Sequence, residues 1–105
     1  MDNLSDKAKI VYATFLRLGA IGEENKITSY AVLDYIEENE ELQEDEILKD
    51  ISEEDFVNII LDFNIKSINT LIASMCRKDI IVKTEPKSIK IDGQRHNLRE
   101  YYIKK

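Results

Sequence analysis

The chain has 105 residues, 43% of them hydrophobic and 34% charged, with 15 Lys plus Arg set against 21 Asp plus Glu for a net charge of −6. That length suits one hydrophobic core, and that balance excludes a disordered or fibrous chain. The charge is unevenly spread: residues 1–63 hold 5 basic and 17 acidic side chains, and residues 64–105 hold 10 and 4, so a half of −12 is joined to a half of +6.

No apolar run approaches the ~20 residues of a membrane span, so no membrane role is expected. The start, Met1-Asp2-Asn3-Leu4-Ser5-Asp6, lacks the basic and apolar stretches of a secretory signal. With a single cysteine, Cys76, an intrachain disulfide is impossible, and a reducing, cytoplasmic setting is expected. Cys76 and the single histidine, His96, do not make a zinc site, and the acidic run lacks the spacing of a calcium loop. The glycines Gly19, Gly22 and Gly93 supply no phosphate-cradling loop, and there is no Gly-x-Ser-x-Gly. No catalytic residue, metal or cofactor is therefore expected, and the chain is read as a non-enzyme.

In chain order, Ser5 or Asp6 caps a first helix whose stripe is Ala8, Val11, Phe15 and Leu18, broadened by Ile10 and Leu16. Gly19 and Gly22 stop it. Thr28 caps a second helix carrying Val32, Leu33, Tyr35 and Ile36. Between Glu37 and Asp55, 11 of 19 residues are acidic, with Ile47, Leu48 and Ile51 expected to pin this insertion to the core. Ser52 then caps a third helix with three carboxylates in its first turn, where the helix dipole is positive, and an apolar face of Phe56, Ile59, Ile60 and Phe63.

A fourth helix is predicted over about 66–78. Ile68, Leu71, Ile72 and Met75 lie on its inner face; Lys66, Thr70, Ala73 and Arg77, flanked by Ser67, Asn69 and Ser74, lie on the outer one. That outer face is small, polar and basic. The pattern then turns to strand: Ile80 to Glu85, an interruption at Pro86, Ser88 to Ile91, an Asp92-Gly93 hairpin signal, and a return through Leu98 to Ile103. A two-residue turn sets Ile91 against Gln94 and Lys90 against Arg95, and gathers Lys87, Lys90, Arg95 and His96 at the hairpin tip. The expected fold is α+β: a single winged helix-turn-helix domain of about four helices followed by a C-terminal β-hairpin wing.

The run from Ser67 to Ile81, a recognition-like helix passing through Arg77-Lys78-Asp79-Ile80-Ile81 straight into a hairpin, resembles MarR-like winged-helix proteins over residues 4–35 and 64–105. The resemblance implies a transcriptional or phage-type regulator. Its fourth helix would enter the major groove of duplex DNA, with Ser67, Asn69 and Thr70 at base edges and Ala73 allowing close approach. Lys66, Arg77, Lys87, Lys90 and Arg95 would meet phosphates. Many such domains act as two-fold dimers, so a homodimer is among the expected partners, with Tyr12, Tyr101 and Tyr102 available to an interface. Two features depart from that pattern: Asp79 stands where those proteins carry glycine, and the stretch from Glu37 to Phe63 is longer than their usual link.

The acidic insertion has three readings. It is solvation around a loop, an electrostatic guide that repels DNA from the wrong face, or a protein-binding surface. In the third, Glu37, Glu38, Glu40, Glu41, Glu44, Asp45 and Glu46 block the nucleic-acid site of a partner protein, as in small phage inhibitors, including anti-CRISPR proteins, that this size and charge resemble.

Overall fold

Helix α1 (Asp6–Arg17) begins at the Ser5 cap, whose hydroxyl accepts the Ala8 amide at 3.2 Å, and buries Ile10, Val11 and Phe15 completely. It ends in a Schellman motif: Gly19 takes φ +68°, its amide donates to Leu16, and the Ala20 amide donates to Phe15. Leu18, predicted on the buried stripe, is exposed instead, because it sits at the C-cap, where the chain has already left the helical face. The computed structural model describes residues 4–104 apart from the side chains of Ile89, Ile91 and His96, so the tip position expected of His96 lies outside the described residues.

Strand β1 (Ile27–Thr28), absent from the sequence reading, leads into α2 (Ser29–Glu38). Thr28 caps α2 as predicted, accepting the Ala31 amide at 3.2 Å. The acidic insertion then folds as two short 3-10 turns, Glu40–Glu44 and Glu46–Leu48, packed on α1 and α2. Leu42 and Leu48 bury fully, Ile51 nearly so and Ile47 in part; Leu42 is an anchor the sequence reading did not name. Arg17 Nε meets Asp45 Oδ2 at 2.9 Å and ties the insertion to the end of α1.

Helix α3 (Glu53–Asp62) starts at the Ser52 cap, which accepts the Asp55 amide at 3.1 Å. After Phe63 and Asn64 the chain turns by 106° into α4 (Ile65–Arg77). Two short helices at that angle form a helix-turn-helix pair. Asn64 caps α4 through a reciprocal box: its Oδ1 accepts the Ser67 amide at 2.9 Å, while Ser67 Oγ accepts the Asn64 amide at 3.0 Å. Ile68, Ile72 and Met75 bury against α1 and α2.

The helix α4 exit needs no glycine. Asp79 adopts φ +60°, its amide donates to Cys76 and the Ile80 amide to Met75, repeating the α1 motif with an aspartate in the left-handed position. Strands β2 (Ile81–Lys83), β3 (Lys87–Ile91), β4 (Gln94–Leu98) and β5 (Glu100–Ile103) follow. β5 lies between β1 and β2 in an antiparallel sheet, where Ile81 faces Ile103 and Lys83 faces Tyr101. β3 and β4 form a separate two-stranded hairpin with Ile91 opposite Gln94 and Lys90 opposite Arg95, the predicted register. Asp92 (φ 52°) and Gly93 (φ 80°) make the turn, both left-handed as a type I′ hairpin requires. The joint between sheet and hairpin is held by Thr84, whose hydroxyl accepts the Glu100 amide at 3.2 Å and donates to the Glu100 carbonyl at 2.9 Å. The architecture is an α+β winged helix-turn-helix. Among the described residues no single helix is long and apolar enough to cross a membrane.

Candidate nucleic-acid interface

The outer face of α4 carries Lys66, Asn69, Thr70, Ala73 and Arg77, all exposed and spaced along one side of the helix. The inner face is held by α1 and α2, the elements on which the acidic turns pack, so the outer face points away from them. Thr70 Oγ1 donates to the Lys66 carbonyl at 3.0 Å, which leaves its lone pairs outward. Ser67, predicted among the base-reading residues, has its hydroxyl committed to the cap: it also donates to the Asn64 carbonyl at 2.9 Å and is half-buried. The helix boundary claims it.

Lys87 also differs from expectation. It pairs with Leu98 at the base of the hairpin rather than at the tip, and its Nζ lies 3.2 Å from Glu100 Oε1. Lys90 and Arg95 do sit beside the turn, directly across from one another and both exposed. Like charges directly opposed on a hairpin are destabilising. An isolated two-stranded hairpin is also marginal in water.

Tertiary topology adds three cations that the linear reading passed over. A groove of about 230 Å³ runs between α4 and the sheet, lined by Ala73, Cys76, Arg77, Lys83, Arg99 and Tyr101. Lys83 is opposite Tyr101 in the β2–β5 ladder, which sets the two on one face of the sheet, and Arg99, just before β5, lines the same groove. Among the described residues no carboxylate lines this groove. The Nε of Arg99 is buried without a hydrogen-bond partner, and an unpaired buried donor is costly. Burial pushes the Cys76 thiol up from its ordinary value, while Lys83, Arg99 and Arg77 pull it the other way. Burial likewise raises the Tyr101 phenol, against the opposing pull of Arg99.

The third addition is Lys7 of α1, which lines a second recess at the other end of α4 with Asn64, Lys66 and Thr70. Cations thus flank α4 at both ends. Lys66 and Arg77 are eleven residues apart, about 16 Å along a helix rising 1.5 Å per residue. That exceeds the ~12 Å width of the DNA major groove, so a helix lying in the groove carries a cation toward each phosphate wall.

The acidic residues occupy other elements. Glu37 and Glu38 are exposed at the end of α2; Glu40, Glu41, Glu44 and Glu46 are exposed in the 3-10 turns; Asp45 is half-buried and bound to Arg17. Hydrogen bonds that the Arg17 guanidinium donates to Tyr35 and to Asp45 hold it more firmly charged than usual. Among the described residues no three His, Cys, Asp or Glu side chains converge to hold a metal ion. Comparison with protein-family models, with curated proteins and with solved structures returned no match to this chain.

Proposed function

We propose that this protein is a winged-helix regulator that binds duplex DNA, with α4 in the major groove and the β3–β4 hairpin against the adjacent backbone. The observation that carries the proposal is the groove where Arg77, Lys83 and Arg99 meet without a carboxylate, continuous with a helix face that is otherwise small and polar. Phosphates passing over it would neutralise the three cations. A phosphate between Lys90 and Arg95 would turn a repulsive pair into a bridged one. Asn69 and Thr70 are the side chains placed to read base edges, and Ala73 lets the helix axis approach. The resemblance of residues 4–35 and 64–105 to MarR-like proteins supports the same docking, and Asp79, standing where those proteins carry glycine, takes the left-handed position of a Schellman exit.

The protein is titrated against labelled random-sequence duplex at low and moderate salt, alone and as the Lys90→Glu/Arg95→Glu variant. Binding at low salt that weakens as salt rises is expected, with the variant weaker on every sequence alike. Loss of sequence preference without loss of general affinity would show that the hairpin does not carry the phosphate contacts.

A further inference from the structure

We propose that the groove between the end of α2, the Glu40–Glu44 turn and α3 is a docking site for a cationic amphipathic helix of a partner protein. It is separate from α4's outer face and stands or falls independently of DNA binding.

Helix α3 is incompletely covered by its own domain. Only Phe56 is buried; Val57 is 49% exposed and Leu61 77% exposed, although both are large apolar side chains. They stand at i and i+4, one above the other on the helix surface. With Ile36, Phe56 and Ile60 they line a groove of about 350 Å³. Val57 and Leu61 thus extend the apolar lining of the groove onto the exposed edge of α3. Its shape, one helix edge beside another, suits a helix that inserts apolar side chains at i, i+3 or i+4, and i+7.

The rim identifies the occupant. Glu37, Glu40 and Glu53 line the groove, and no lysine or arginine does. Glu37 and Glu38 also sit in the last turn of α2, with no basic residue there, where the helix dipole is already negative. Carboxylates at that end are unfavourable on their own and favourable beside a bound cation. Phosphate backbones are repelled from such a rim. A two-fold pairing of this face with itself would bring Glu37, Glu40 and Glu53 against their own copies. Among the described residues the basic amphipathic helices of this chain are α1 and α4, and the apolar faces of both are already buried in the core. What fits is a helix from another protein with an apolar stripe edged by lysine or arginine.

The probe is a synthetic helical peptide of about 15 residues, leucines on one stripe and lysines elsewhere. Its controls are the same composition scrambled to destroy the stripe and a version with glutamate in place of lysine. The intact protein should bind the first peptide, neither control, and show NMR shift changes confined to the end of α2 and α3. Leu61→Ser, at an exposed position that leaves the fold intact, should weaken binding about tenfold while duplex binding stays unchanged. The Glu37→Gln/Glu40→Gln/Glu53→Gln variant should weaken it too and flatten its salt dependence. Equal binding of the scrambled peptide, no binding at all, or indifference to Leu61→Ser would overturn the proposal. So would self-association that Leu61→Ser abolishes, since it would assign the face to a second copy.

Discussion

Helices α3 and α4 adjoin in the chain, meet at 106°, and carry similar densities of apolar residues, yet they bury them to different extents. Helix α4 confines its large apolar side chains to one face, buries Ile68, Ile72 and Met75, and presents a polar and basic remainder. Helix α3 spreads its own around the cylinder, buries only Phe56, and surrounds the exposed remainder with carboxylates. The proposed duplex contact uses the face of cations and small polar groups, and the proposed helix docking uses the face that leaves Val57 and Leu61 in solvent. The net charge of −6 averages these two surfaces and describes neither.

The contrast can be broken by mutation. Ile72→Ala, in the fully buried face of α4, should cost about 2–5 kcal/mol and lower the denaturant midpoint of the whole domain. Phe56→Ala removes the single buried anchor of α3. It should cost about 3 kcal/mol, and it should loosen α3 selectively, with amide exchange accelerating there before it does in α4. Equal acceleration in both helices would mean that α3 is as deeply held as α4 and that the two do not differ as described. The smallest expected change is at the exit of α4. Asp79→Gly relieves a left-handed aspartate at φ +60° and should raise stability by about 1 kcal/mol, read as a higher midpoint with DNA affinity unchanged.

Local chemistry made much of this fold legible from sequence. The caps at Ser5, Thr28 and Ser52 and the hairpin register around Asp92-Gly93 follow from residue types within three or four positions of each other. The apolar face and outward stripe of α4 follow from helical periodicity. What escaped depends on contacts distant in the chain. Strand β1 is two residues long and is a strand only because β5 pairs with it. Lys83 and Arg99 reach Arg77 through sheet pairing across sixteen residues of chain, which no linear spacing displays. Leu42 buries from a 3-10 turn too short to show a period. Periodicity names Phe56, Ile59, Ile60 and Phe63 as the apolar face of α3, all of which pack on the core, but does not name Val57 and Leu61, which stand outside that stripe in solvent. Ser67, expected at a base edge, and Lys87, expected at a phosphate, are engaged instead by the α4 cap and by Glu100, neighbours that residue class alone does not display.

The account stands most directly on the Arg77, Lys83 and Arg99 groove. The decisive measurement is the salt dependence of duplex affinity for the native protein and for the Arg77→Ala/Lys83→Ala/Arg99→Ala variant. Each phosphate contact contributes about 0.9 to the log–log slope, so the variant should give a slope about 2.7 shallower and weaker binding at every salt concentration. An unchanged slope, or a native protein that binds no duplex even at low salt, would contradict it.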